Sequence, residues 1–155
     1  NLRDCDLNGL IRDVVRAAQG RDQIEFTMHL TANLPPVVGD PIAFRRILEN
    51  LTTNAVESLE SKRGRVSVST EVIERDGEPP SVRVTVADTG RGMSKEEAGK
   101  IFNDFYTTKE GGTGLGLSIV RRLVMDLHGA INVESEPGRG TRIIIEIPSG
   151  VLERT

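Results

Sequence analysis

Apolar residues open the chain at helical spacing: Leu7, Leu10, Ile11, Val14, Val15 and Ala18 share one face. Asp6 stands before them as a cap and Gly20 as a stop. Ile24, Phe26, Met28 and Leu30 then alternate strictly, the period of a half-buried strand. A Pro-containing loop is expected from Thr31 to Pro41. Asp40-Pro41 begins a second helix, with Asp at the cap and Pro in the first turn. Its apolar face is read as Ile42, Ile47, Leu48, Leu51, Ala55 and Leu59. Strands are expected over Arg65–Ile73 and Ser81–Ala87, around a polar turn at Asp76–Pro80. A short helix follows from Ser94 to Ile101. From Phe102 to Gly114 no period fits, and threonines and glycines suggest a mobile loop. Leu115–Leu127 reads as a helix stopped by Gly129, and Ile131–Ser135 with Arg142–Ile147 as a closing hairpin across Pro137–Gly140. This order predicts an α+β two-layer sandwich: a mostly antiparallel sheet with helices packed on one face.

Composition narrows the class. At 155 residues the chain suits one domain spanning 1–155, with residues 1–6 read as residual linker. Four Phe, one Tyr and no Trp leave the core to Val, Ile and Leu. A net charge of −3 provides no basic field for a phosphate backbone, so no nucleic-acid partner is expected. The single Cys5 cannot make an internal disulfide, which suits a reducing compartment. No apolar run is long enough to span a bilayer. The expected place is the cytoplasm, with no direct membrane contact, whether or not a longer parent is membrane-anchored.

Candidate chemistry gathers at the glycines. Gly112-Thr113-Gly114-Leu115-Gly116 runs into a helix, so its amides and the helix dipole suit phosphate oxygens. A plain glycine turn before a helix reads equally well. The spacing fits neither a Walker loop nor a dinucleotide fingerprint. Asp88 ends a strand and is followed by Gly90 and Gly92, where a carboxylate could accept from the exocyclic amine of adenine. An Asp that merely caps a turn is the alternative. Asn50 and Asn54, four apart, share one edge of their helix. Amides inside a helix need a reason, and Mg²⁺ is one, since it takes amide oxygens together with phosphate and water. Two solvated amides are the other. Lys109 precedes the glycines and could neutralise a phosphate.

The order of these pieces resembles the GHKL ATP-binding superfamily over about Leu7 to Pro148. Leu48–Ala55 looks like the N box, Asp88–Gly92 the first glycine box, and Phe102–Lys109 the F box. Gly112–Gly116 looks like the second glycine box, and Gly138-Arg139-Gly140-Thr141 the last. Within the superfamily the chain most resembles sensor histidine kinases of the nitrogen-regulatory type, whose F box ends Thr-Thr-Lys. Asp104 departs from the Pro often found there. The resemblance implies a Bergerat fold with ATP between the helices, and a lid from about Phe102 to Gly114. It implies Asp88 on the adenine amine, Thr141 near it through a water, and backbone contact from Gly90 and Gly92. Asn54 would ligate Mg²⁺, and Asn50 a phosphate or the ion's shell. Lys109 and the segment Gly112, Thr113, Gly114, Leu115 and Gly116 would hold the outer phosphates, with Asn50 and Lys109 as the catalytic pair.

The same resemblance implies γ-phosphoryl transfer to a histidine on a separate dimerisation domain, and through it to a response regulator. His29-Leu30 and His128-Gly129 do not match an acceptor, which in these kinases precedes an acidic residue. The rivals are a GHKL ATPase and an anti-sigma-factor serine kinase. The ATPases place a Glu one turn before the Mg²⁺-binding Asn, where this chain has Asn50, which cannot act as a general base. Glu49 points about 100° away around the helix.

Overall fold

The computed structural model describes residues 3–20, 23–103 and 116–149, without the side chain of Lys62. Five strands form the main sheet: β2 (Gln23–His29), β4 (Arg63–Ile73), β5 (Ser81–Asp88), β6 (Ala130–Ser135) and β7 (Thr141–Pro148). Their spatial order is β2-β4-β5-β7-β6, with β2 and β4 parallel and every other pair antiparallel. Parallel neighbours need a crossover, and helix α2 (Pro41–Ser58) lies within it. This α2 packs on β4 and β5, and against α1 (Leu7–Ala18) and α4 (Gly116–Asp126). The expected α+β sandwich is what forms.

Strand alternation builds the core. Val66 and Val68 of β4, Val82, Val84 and Val86 of β5, and Ile143, Ile145 and Ile147 of β7 are all buried. Facing them are Ile11, Val14 and Val15 of α1, Ile47, Leu48, Leu51 and Ala55 of α2, and Val120 and Val124 of α4. Each buried Val, Leu or Ile among them stabilises the fold by roughly 1.5–3 kcal/mol. One polar group interrupts the inward row of β4. The Thr70 hydroxyl donates to Asn8 Oδ1 at 3.0 Å and accepts from the Thr31 amide at 2.9 Å, while Asn8 Nδ2 donates to the Thr31 carbonyl at 2.8 Å. Every one of those buried groups is matched, as burial requires.

Helix starts follow their caps. Asp6 accepts from the Gly9 amide at 3.1 Å and Asp40 from Ile42 at 2.9 Å, with Pro41 in the first turn. Several expectations need correction. Arg3–Cys5, read as linker, form strand β1, antiparallel to β3 (Val37–Gly39) inside the expected loop. Three-residue strands are too short to show a period. Ile42 is not core: it is 78% exposed in the first turn of α2, and Phe44 is buried instead. The helix expected to reach Ile101 is only α3 (Lys95–Ala98), started by a Ser94–Glu97 capping box and ended at Gly99. At the end of α4 the left-handed residue is His128 (φ 61°), not Gly129. The Gly129 amide returns to the Val124 carbonyl and His128 to Met125, a Schellman closure. Gly129 is still needed, because a Cβ there would lie 2.6 Å from the Glu146 carbonyl.

The outer sheet face is charged. Glu146 of β7 is held between Arg75 and Arg83, and Arg83 also reaches Glu71. Its hydrogen bond to Arg75 outweighs partial burial, and with help from Arg83 keeps the Glu146 carboxyl below its ordinary 4.5. A depressed carboxylate contributes stability above its unfolded pKa and loses it as pH falls through the folded value. Glu146→Gln should therefore lower Tm most at about pH 6 and above, with the gap to the parent closing below pH 4.5. Thermal melts across that range check it; a gap independent of pH would contradict the ion-pair account.

Candidate functional site

Alternation carries a carboxylate into the core row. Val82, Val84 and Val86 point inward along β5, and the next residue in that register is Asp88. Ile147, Ile145 and Ile143 do the same along β7, and the next step is Thr141. Phe26, Val66, Asp88, Thr141 and Ser135 are paired in turn across five strands. Directly paired residues share a face, so Asp88 and Thr141 follow Val66 into the space between sheet and helices. They are only 8% and 4% exposed. A buried carboxylate needs hydrogen-bond donors, and Asp88 Oδ1 accepts from the Gly90 amide at 2.8 Å. A carboxylate has acceptor capacity beyond one such bond. A recess of about 540 Å³ opens here, lined by Asp88, Ser135, Gly140 and Thr141 and by Lys95 and Ala98 of the α3 segment.

Glycines let three backbone segments meet around that carboxylate. The Arg91 amide donates to the Ser58 carbonyl at the end of α2, at 3.2 Å, and Gly138 donates to the Arg91 carbonyl at 2.7 Å. Gly92 sits at φ +68°, where a Cβ would fall 1.9 Å from the Glu136 carbonyl. Gly140 sits at φ +78°, with the Asp88 carbonyl 2.0 Å from its would-be Cβ. At these positions close packing of chain on chain already demands glycine.

The amide edge of α2 links this corner to α4. Asn50, Asn54 and Ser58 recur every four residues and span about 12 Å of helix. Asn50 Nδ2 donates to the Gly116 carbonyl at 3.4 Å, and the Ser58 hydroxyl to the Asn54 carbonyl at 2.9 Å. Glu49 is turned toward Arg45, 3.5 Å away. The structure thus gathers Asn50, Asn54 and Gly116 along one side of α2, and Asp88, Gly90, Gly92 and Thr141 at its end. Lys109, Gly112, Thr113, Gly114 and Leu115, and the lid apart from Phe102 and Asn103, lie outside the described residues. Two further side chains hydrogen-bond within this corner and along this edge, Ser58 and Ser135. Ser58 was legible in the four-residue spacing with the asparagines; Ser135 ends an alternating strand and nothing in the pattern marks it.

The profile of the family described as histidine kinase-, DNA gyrase B-, and HSP90-like ATPase matches residues 39–151. The chain belongs to this ATPase family. Within the family its relatives are sensor histidine kinases. It is 31% identical to the sensor histidine kinase ZraS of Escherichia coli K12 over 99% of this chain and 32% of that protein. It superposes on the catalytic domain of histidine kinase ThkA with a TM-score of 0.83 at 32% identity, covering 96% of both chains. A full-length ShkA structure in complex with AMPPNP matches with a TM-score of 0.81 at 34% identity, over 96% of this chain and 31% of that one. The chain spans about a third or less of the curated relatives it matches. Among the described residues no helix is long and apolar enough to cross a membrane.

The ATPase-family glycines differ in what constrains them, and this is testable. Gly92→Ala must both hold a positive φ and displace a carbonyl, whereas Gly138 (φ +79°) has nothing within 4 Å of its would-be Cβ. Gly138→Ala should cost about 1 kcal/mol from backbone strain alone, and Gly92→Ala distinctly more. Denaturant unfolding of both variants checks this; equal losses would contradict the packing role of Gly92.

Proposed function

We propose that this chain is the catalytic domain of a sensor histidine kinase, binding Mg²⁺–ATP along α2 and donating the γ-phosphoryl group to a histidine on a separate dimerisation domain. The phosphohistidine would then serve a response regulator in two-component signalling, with the whole chain, 1–155, acting as one catalytic unit. The observation that carries the reading is the α2 edge. It runs from Gly116, beside Asn50, to the buried Asp88 corner, beside Ser58, so base and phosphates have separate ends about 12 Å apart. ATP fits that span with its adenine amine on Asp88, Thr141 beside it, and Gly90 and Gly92 shaping the backbone. Asn54 offers a hard amide oxygen of the kind Mg²⁺ takes, and Asn50 stands one turn nearer the phosphates. Lys109 and the Gly112–Gly116 segment are assigned to the outer phosphates by family resemblance, as is the nitrogen-regulatory subtype.

Phosphoryl transfer needs positioning and charge neutralisation more than covalent help. The imidazole nitrogen forms the new P–N bond, the bond from γ-phosphorus to the bridging oxygen breaks, and ADP leaves with that electron pair. Hydrolysis is different, because water must be oriented and deprotonated. Asn50 cannot deprotonate it, and Glu49 points elsewhere around the helix, on the side of Arg45. General-base help is typically worth 10²–10⁴-fold, so the ATPase reading lacks its principal group, and the serine-kinase alternative has no separate observation in its favour. His29 ends edge strand β2 and His128 forms the left-handed closure of α4; neither is followed by the acidic residue of an acceptor site.

Incubation with γ-labelled ATP, alone and with a histidine-bearing dimerisation domain, tests the proposal. The chain alone should release little phosphate and acquire no label. The added domain should acquire acid-labile label, and Asn54→Asp should suppress that transfer by disturbing the ion's shell. Rapid phosphate release by the chain alone would restore the ATPase reading.

A further inference from the structure

Ser135 joins both glycine segments at the base corner. Its Oγ accepts from the Met93 amide at 2.8 Å, donates to the Gly140 carbonyl at 3.0 Å, and lies 2.9 Å from Thr141 Oγ1. A serine hydroxyl has one proton and two lone pairs. Gly140 is buried, and among the described residues Ser135 is the donor its carbonyl receives, so the serine proton is committed there. The contact with Thr141 must then use the threonine's proton. Thr141 is left facing the recess with lone pairs only, beside the Asp88 carboxylate opposite it in register.

We propose that Ser135 is a positioning residue that makes the Thr141 hydroxyl an obligate acceptor, and so sets selectivity for a 6-amino purine over a 6-oxo purine. This rests on the nucleotide reading above and extends it from binding to base choice. Two acceptors side by side suit an amine at position 6, with Thr141 meeting it directly and not through the water that the family resemblance implies. A carbonyl there would meet two acceptors and leave desolvated lone pairs unpaired, the arrangement that gives hydrogen-bonding sites their strong discrimination. Without Ser135 the Thr141 hydroxyl can turn and donate to such a carbonyl.

The test is the ratio of dissociation constants for IDP and ADP, measured with Mg²⁺ by calorimetry; the two bases differ only in the group at position 6 and the protonation of N1. The parent chain should strongly prefer ADP. Ser135→Ala should narrow the ratio by about fivefold or more, the worth of one ordinary hydrogen bond, and Ser135→Thr should restore it. Thr141→Val should narrow it also, and adding Ser135→Ala to Thr141→Val should change it no further, since neighbours acting through one group are non-additive. A merely structural serine would instead weaken both nucleotides alike and add its effect in both backgrounds. Should Ser135→Ala fail to fold, Ser135→Cys fills the site with a poor hydrogen-bonding group and carries the same expectation. An unchanged ratio in folded Ser135→Ala, or an equal drop in the Thr141→Val background, would overturn the proposal. Asp88→Asn separates the two levels: if it collapses the ratio while Ser135→Ala does not, the base site stands and only the role of Ser135 falls. If Asp88→Asn leaves ADP affinity and the ratio untouched, both fall.

Discussion

A carboxylate cannot be left without donors in an apolar layer, and Asp88 stands where three valines of the same strand have just pointed inward. Much of the surrounding backbone is arranged to meet that constraint. The Gly90 amide turns back onto Oδ1, the following residues hold close to the end of α2, and Gly140 brings the start of β7 against the Asp88 carbonyl. Glycine at those points is the consequence of three chain segments meeting within backbone contact. The polar corner is therefore built into the sheet and does not hang from a loop. On the proposed reading, a corner held this way would let a few acceptors distinguish one heterocycle from another.

Helix α2 carries the second half of the arrangement. It packs on β4 and β5, with Ile47, Leu48, Leu51 and Ala55 buried, which fixes the direction of the amide-bearing edge that flanks this buried face. Asn50, Asn54 and Ser58 thereby become a ruler between α4 and the Asp88 corner. On the proposed reading, the same edge suits transfer more than hydrolysis. An amide replaces the carboxylate that would activate water, and the neighbouring carboxylate is turned onto Arg45.

Long periodic elements were legible in the sequence because burial imposes the period: α1, α2, α4 and the main strands sit where alternation or helical spacing put them. Residues Arg3–Cys5 and Val37–Gly39 were not, since three residues cannot display a period and their pairing is with each other, far apart in the chain. Ile42 misled for a related reason. It matches the apolar face, but it lies in the first turn of α2, before the helix reaches the core, and Phe44 is the residue that enters. At the site, Asp88 was visible as a carboxylate ending a strand, whereas Thr141 came only through the resemblance of Gly138–Thr141 to the last glycine box. Ser135 was not visible, because its role comes from three partners on separate segments.

The most direct measurement of the central claim is the map of amide shifts when Mg²⁺ and ADP are titrated into ¹⁵N-labelled protein. The largest changes should fall at Gly90, Gly92 and Thr141, at Gly116, and at the side-chain amides of Asn50 and Asn54. The outer sheet face around Thr85 and Glu146 should stay unperturbed. Shifts confined to that outer face, with the Asp88 corner silent, would contradict it.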